Sequence, residues 1–215
     1  MASTKGVALI TGSCQGLGRA IALRLAEDGF DVSINDLPSK TRELEALAAE
    51  IIAKGRRPCV VPGDVSVESD VISIIDNTVH ELGALNVMVA NAGVCTFRSI
   101  LDTSTDDWNR IFTINGQGTF LCYKYAAKQM IKQGNGGRIV GASSIAGKQG
   151  YSDLAAYSAS KGAIRLFTQS AAREFGPYGI TVNAYAPGQL LEPTDIASIV
   201  SYLVSSEARL ITGGW

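Results

Sequence analysis

With 215 residues, 46% of them hydrophobic and a mean hydropathy of +0.15, the chain has apolar material for one sizeable core, and one domain over residues 1–215 is the natural count. The formal net charge of −1 comes from 19 basic and 20 acidic residues scattered rather than striped, which argues against nucleic-acid or anionic-membrane partners. No apolar run reaches the ~18 residues of a membrane span and Met1 to Lys5 leads directly into a strand, so a cytoplasmic protein without a leader is expected. Four cysteines (14, 59, 95 and 122) lack paired or metal-like spacing, and His80 has no partner motif. Reduced thiols and no metal site are therefore expected.

Along the chain, strand-like apolar runs alternate with amphipathic segments, the pattern of a parallel sheet covered by helices on both faces. The predicted fold class is α/β: a doubly wound, Rossmann-like, three-layer arrangement. The first unit runs from a strand over Val7–Thr11 through a helix over Leu17–Asp28 to a strand over Val32–Asp36. Between strand and helix lies Thr11-Gly12-Ser13-Cys14-Gln15-Gly16-Leu17-Gly18. The glycines let the backbone approach a pyrophosphate, and the free N–H groups and dipole of the helix start attract its charge. Asp36 closes the second strand, eighteen residues after Gly18. A carboxylate there accepts hydrogen bonds from adenosine ribose hydroxyls and repels a 2′-phosphate, which favours NAD(H) over NADP(H). The alternative is a turn aspartate before Pro38; Lys40 and Arg42, which could soften the preference, read as exposed first-turn residues.

A second helix is expected over Arg42–Lys54, ending at Gly55, and a third strand over Pro58–Val61. Asp64-Val65 follows, and Asp64 could cap the helix running through His80. A fourth strand, Val87–Ala90, ends in Asn91-Ala92-Gly93, where two small residues let the chain pass close under a ligand and the Asn91 amide can tie strand ends together. Ser104-Thr105-Asp106-Asp107 has the character of a helix start, with Trp108, Ile111, Phe112 and Ile114 expected as its buried stripe. Asn115 interrupts that stripe. Gly116 and Gly118 beside it predict an irregularity where water could enter, although a satisfied core asparagine is the alternative.

Arg138-Ile139-Val140-Gly141 reads as a strand leading to Ser143 and Ser144. If Leu154 to Phe175 is a helix, Tyr157 and Lys161 stack on one face, and a fixed cation there favours phenolate, lowering the tyrosine's pKa toward a useful range. Ser144, thirteen residues before Tyr157, could face the phenol across a cleft. A Tyr-x-x-x-Lys pair alone is common on solvated helix faces. Thr181 to Tyr185 forms the sixth strand, followed by Pro187-Gly188.

Taken in order, the glycine turn, Asn91-Ala92-Gly93, Asn115, Ser144, Tyr157-x-x-x-Lys161 and Pro187-Gly188 resemble the short-chain dehydrogenases/reductases over nearly the whole chain. The resemblance implies a catalytic tetrad of Asn115, Ser144, Tyr157 and Lys161. The Asn115 backbone would hold a water beside Lys161, and Lys161 would also hold the nicotinamide ribose. It further implies cofactor contacts at Gly12, Gln15, Gly16, Leu17, Gly18, Asp36, Asp64 (on the adenine edge), Val65, Asn91, Ala92, Gly93, Tyr157, Lys161, Pro187 and Gly188. Tetramer or dimer formation through the Trp108–Met130 and Ala155–Phe175 helices is implied as well.

Within the family, the segments around Gly179–Gly188 and Asp195–Leu203 look most like acetoin/diacetyl reductases, which implies a small ketone substrate and its alcohol; Ile145 and Tyr151 give the pocket rim a bulkier, apolar look that admits a larger ketone. Members normally continue after Pro-Gly with a substrate-covering segment and end on a further strand. Here Gln189-Leu190-Leu191 passes almost at once to Glu192-Pro193, and Gly213 runs straight into Gly214-Trp215. Residues are therefore expected to be missing after Gly188 and after Gly213. Competing readings are an NADPH-dependent 3-oxoacyl reductase, against which Asp36 and the lack of a basic residue at Cys14 or Gln15 count, and a dinucleotide-sensing module without chemistry, against which the complete tetrad counts. No Gly-x-Ser-x-Gly elbow is present for a serine hydrolase.

Overall fold

A computed structural model describes residues 3–188 and 192–215. Six parallel strands form one sheet: β1 (Val7–Thr11), β2 (Asp31–Asn35), β3 (Pro58–Val60), β4 (Val87–Ala90), β5 (Gly137–Ala142) and β6 (Ile180–Tyr185), in the order β3-β2-β1-β4-β5-β6. Strand order reverses beside β1, so the ends of β1 and β4 open a crevice at the carboxyl edge of the sheet, where open α/β sheets bind ligands.

Alternation along each strand assigns its side chains to two separate cores. Ala8 and Ile10 of β1 and Val87 and Val89 of β4 face one layer, with helices α1 (Gly16–Glu27), α2 (Thr41–Ala53) and α7 (Pro193–Val204). Leu9, Met88 and Ala90 face the other, with α3 (Glu68–Leu82), α5 (Gly118–Gln133) and α6 (Ala155–Phe175). Each buried Ile or Leu contributes roughly 1.5–3 kcal/mol. The doubly wound arrangement is the one expected, with helix bounds shifted by one residue at each end of α1.

Ser104 caps α4 (Thr105–Ile111) by accepting from the Asp107 N–H at 3.0 Å. The expected buried stripe on this helix is a different matter. Ile111 is buried, but Trp108 is 41% exposed and stacks on Phe112 with ring centroids 4.9 Å apart. The helix lies at the surface, and among the described residues no layer covers that face. Between α4 and α5 the helix widens into a π-helical segment, Phe112–Gln117, the irregularity expected around Asn115. Before α3, the alternative reading of Asp64 as a helix cap is not met, since Val67 is the N-cap and no side chain caps it. Asp64 Oδ1 instead accepts from the N–H and hydroxyl of Ser66 at 2.8 and 2.7 Å, because the helix begins four residues further on, at Glu68.

Thr212 to Gly214 run beside the free edge of β6. The Gly213 N–H donates to the Val182 carbonyl at 2.8 Å and the Ala184 N–H donates to the Gly214 carbonyl at 2.9 Å, the nearest thing to a further strand. Gln189, Leu190 and Leu191, at the first of the two abrupt joins, lie outside the described residues.

Candidate active site

The glycine turn is built around close approach. A Cβ at Gly18 would stand 2.1 Å from the Gly12 carbonyl oxygen and 2.6 Å from the Asn91 Nδ2, and Gly12 has φ +62°, so neither position tolerates a side chain. Asn91 knots three strands at this point. Its Nδ2 donates to the carbonyls of Thr11 (2.8 Å) and Gly12 (3.1 Å), and its Oδ1 accepts from the Tyr185 hydroxyl at 2.7 Å. The Thr11 hydroxyl accepts from the N–H groups of Asn91 and Ala92 at 3.1 and 3.0 Å. The strand-tying role expected of Asn91 is thus its observed one.

Two cavities meet over this turn. One, of about 480 Å³, is lined by Gly12, Gln15, Gly16, Leu17, Gly18, Asp36, Asp64, Val65, Asn91, Ala92 and Gly93, all read as cofactor contacts from the sequence. The other, of about 380 Å³, is lined by Ser144, Tyr157, Lys161, Pro187 and Gly188. Leu17, Asn91, Gly93 and Val94 belong to both, so the cleft is continuous. An elongated molecule with an anionic middle, as a dinucleotide has, fits this shape: the open side of Gly16 has nothing within 4 Å of where a Cβ would stand.

Asp36 follows β2, and its carboxylate is oriented before any ligand arrives. Oδ2 accepts from the Cys14 N–H (3.1 Å) and Oδ1 from the Leu37 N–H (2.9 Å). Burial and the adjacent carboxylate push the Cys14 thiol up to about 12, so it stays protonated. Lys40 lines the same cavity rather than standing clear of it, with its ammonium on Glu43 at 3.0 Å. Arg110 also lines it and escaped the sequence reading; its spacing from Ile114, four residues on the same helix, was the available signal.

At the other end, Ser144 caps the short turn Ile145–Gly147, its hydroxyl accepting from the Ala146 N–H at 3.1 Å. α6 carries Tyr157 and Lys161, with Nζ 5.6 Å from the phenol ring centroid. Lys161 is fully buried and donates to the Ala142 carbonyl at 2.7 Å. Asn115 lines neither cavity and sits behind Gly93. Its Oδ1 accepts from the Val94 N–H (2.8 Å) and its Nδ2 donates to the Val94 carbonyl (2.9 Å) and to the Ser160 hydroxyl (3.0 Å), while its own carbonyl accepts from the Thr119 hydroxyl at 2.7 Å. A Cβ on Gly93 would lie 3.0 Å from Asn115 Oδ1 and 3.3 Å from Lys161 Nζ, so the absence of a side chain there is what leaves room for both groups.

The expected electrostatic pairing differs in one respect. Burial raises the Tyr157 pKa, and this outweighs the lowering effect of its hydrogen bond with Ser144; Cys95 adds slightly to the rise. Lys161 pays the larger cost itself, its ammonium pushed by burial down to about 8. The net direction at Tyr157 is thus upward, against the lowering expected from Lys161, because burial of the phenol dominates. At neutral pH the phenol is a proton donor held next to the Ser144 hydroxyl. Val94, Cys95, Phe97, Ile145, Tyr151 and Leu154 also line this cavity, together with the polar Ser143 and Tyr185. Ile145 and Tyr151 were legible as rim residues; Val94, Cys95 and Phe97 were not, since nothing in their sequence marks a loop as lining a cleft.

A family model described as short chain dehydrogenase matches residues 6–200. The chain is 47% identical over 239 residues to a short-chain dehydrogenase/reductase, eriH, of Hericium erinaceus, covering 98% of this chain and 95% of that protein. It is 37% identical over 243 residues to a diacetyl reductase [(S)-acetoin forming] of Staphylococcus epidermidis, covering 96% and 94% of the two chains. Among solved structures, the acetoin dehydrogenase of Enterobacter cloacae superimposes with a TM-score of 0.93 at 34% identity, over 100% of this chain and 93% of that one. Among the described residues no helix is long and apolar enough to cross a membrane. On the glycine turn, the Asn91 knot, the Ser144–Tyr157–Lys161 cluster and these matches together, the chain belongs to the short-chain dehydrogenase/reductase family, oxidoreductases that bind a nicotinamide dinucleotide.

Proposed function

We propose that the protein is an NAD(H)-dependent oxidoreductase that interconverts a secondary alcohol and a ketone, with diacetyl and acetoin as the first substrates to try. The observation that carries this reading is the neutral Tyr157 phenol beside the Ser144 hydroxyl in a cavity continuous with the glycine turn. The glycine turn, Asp36, Asp64, Val65 and the Asn91–Gly93 loop would hold the dinucleotide, with Lys161, Pro187 and Gly188 at its nicotinamide end. The hydride chemistry would come from the dinucleotide held there, as donor in reduction and acceptor in oxidation. Tyr157 donates its proton to the carbonyl oxygen and takes it back in the reverse direction. Ser144 donates a hydrogen bond to the same oxygen, stabilising the charge that develops there. Asn115 fixes the Val94 backbone and, with Lys161, forms the inner end of a proton path.

The preference for NAD(H) rests on Asp36, whose carboxylate is aimed into the cavity by two N–H groups and would repel a 2′-phosphate. A substrate larger than diacetyl is the second reading, favoured by the apolar wall of Phe97, Ile145, Tyr151 and Leu154. A homo-oligomer, tetramer or dimer, is part of the proposal, since Trp108, Phe120 and Leu166 are exposed on α4, α5 and α6. So are missing residues after Gly188 and Gly213: the alignments to the Hericium erinaceus and Staphylococcus epidermidis relatives run over 239 and 243 positions, more than the 215 residues here. Protein from its natural source would then have a mass above 22.6 kDa, and a mass at that value would remove this part of the proposal. The function itself is tested by loss of the reduced-nicotinamide absorbance with NADH or NADPH and diacetyl. Oxidation of NADH in preference to NADPH is the expected result; no oxidation of either, with diacetyl and with bulkier ketones, overturns it.

A further inference from the structure

Two phenols line the cavity of Ser144 and Lys161, those of Tyr157 and Tyr185, and they are not equivalent. Tyr157 stands beside the Ser144 hydroxyl. Tyr185, the last residue of β6, is 3% exposed and packs in the layer of α1, α2 and α7, and burial pushes its pKa well above the ordinary tyrosine value. Its hydroxyl carries one proton, and that proton is committed to Asn91 Oδ1 at 2.7 Å. Tyr185 is therefore no spare acid for the chemistry at Tyr157. What the bond does instead follows from where its two ends lie. β5 separates β4 from β6 in the sheet, so the Tyr185 phenol reaches past the end of β5 to a residue that follows β4.

At its far end the bond meets an amide with no freedom to turn. Asn91 Nδ2 directs both of its hydrogens to one side, onto the Thr11 and Gly12 carbonyls, which leaves Oδ1 facing β6. Turning the amide over would set Oδ1 against two carbonyl oxygens. The glycine turn closes on the same group, since a Cβ at Gly18 would stand 2.6 Å from Nδ2. Tyr185, Asn91 and Gly12 thus form one line of hydrogen bonds from the end of β6 to the glycine turn. Backbone bonds fix the near end of this line. The Ser143 N–H donates to the Tyr185 carbonyl at 2.9 Å and the Ile145 N–H to the Pro187 carbonyl at 3.0 Å, so the end of β6 and the Ser144 turn hold together. Asp36, Asp64 and Val65, which also line the dinucleotide cavity, stand outside the line.

We propose that Tyr185 is a positioning residue for the dinucleotide: acting through Asn91, it sets the spacing between the glycine turn and the end of β6, and so how tightly the nicotinamide half is held, while the adenine half is held without it. This rests on the placement of the nicotinamide beside Pro187 made above, and not on the ketone. Tyr185→Phe, Asn91→Ala and the Tyr185→Phe/Asn91→Ala double variant are compared by calorimetric titration with NADH and with ADP, which carries only the adenosine and the two phosphates. Tyr185→Phe removes one hydroxyl and leaves Asn91 Oδ1 without a donor. It is expected to raise the NADH Kd about five- to tenfold and to leave the ADP Kd within about twofold. Asn91→Ala also releases the Gly12 carbonyl and should weaken both ligands. The double variant should bind NADH within about twofold of Asn91→Ala, since Tyr185 acts through that side chain. Unchanged NADH affinity in Tyr185→Phe, an equal loss for ADP, or a further loss in the double variant would overturn the proposal, as would a lowered Tm with both affinities unmoved. Should Tyr185→Phe fail to fold, Tyr185→Met, which fills the layer without a hydroxyl, is read by the same NADH and ADP comparison. If the unaltered protein prefers NADPH, the cofactor preference proposed above fails, while NADPH against 2′,5′-ADP still judges Tyr185.

Discussion

The dinucleotide end of the cleft is made almost entirely of backbone held by fixed partners: Gly18 touches the Gly12 carbonyl, Asn91 bonds two further strand ends, and Asp36 is gripped by two N–H groups. The end where we propose the ketone binds is walled in part by side chains of loops and turns, among them Val94, Cys95, Ile145 and Tyr151, with Phe97 75% exposed. The contrast teaches what each end can vary. A close-packed turn has one solution and is intolerant of change, while an apolar rim can be rebuilt without disturbing the sheet, so one fold can keep its cofactor and change its substrate.

The comparison breaks most easily at the turn. Gly18→Ala puts a Cβ against the Gly12 carbonyl, and we expect NADH affinity to fall more than about a hundredfold with a stability loss of about 1–3 kcal/mol from overpacking. Calorimetric titration and thermal unfolding check both, and near-normal binding would contradict the close-contact account. Lys161, where the two ends meet, should show the opposite sign in stability. Its folded pKa of about 8 lies below its ordinary 10.5, so the unfolded chain binds this proton more tightly. Stability from this group is therefore lowest below about pH 8 and rises with pH toward about 10.5. Lys161→Met should stabilise the protein by about 1–3 kcal/mol near neutral pH, with the gain shrinking toward pH ~10, while abolishing turnover. Urea unfolding at the two pH values measures it; a destabilised variant at neutral pH would sink the claim that burial dominates.

A smaller effect is expected at Asp36→Ala, which removes a charge and no packing. The ratio of NADH to NADPH affinity should drop about tenfold, with Lys40 and Arg110 left facing the cavity. An unchanged ratio would remove Asp36 as the discriminator. Phe97→Ala, at the loose end, is the mildest: KM for diacetyl should change by less than about threefold, and bulky ketones should lose more, because only they reach the exposed ring. Equal losses for both would mean the rim is not where substrates are sorted.

Much of this was legible in the sequence for a physical reason. Strand alternation is set by burial on two faces, and glycine spacing by backbone contact, so β1, the turn and the Asn91 loop could be read in advance, as could Ser144, Tyr157 and Lys161 on their elements. The surface of α4 could not. An apolar stripe such as Trp108 and Phe112 looks the same whether the chain's own core covers it or nothing in the chain does. Lys161's depressed pKa was hidden likewise, since solvation depends on what packs around Nζ and not on the spacing to Tyr157. Cys95 and Phe97 reach the cleft through loop geometry that spacing does not encode.

The central claim is that Tyr157 is the proton donor to a ketone oxygen, and single-turnover oxidation of bound NADH by diacetyl with Tyr157→Phe tests it most directly. The substitution removes one hydroxyl from the cavity wall and leaves the glycine turn untouched. The account predicts NADH binding within about twofold of the unaltered protein and a reduction rate lower by about 10²–10⁴. A rate within about tenfold of the unaltered protein, with NADH bound normally, would contradict it.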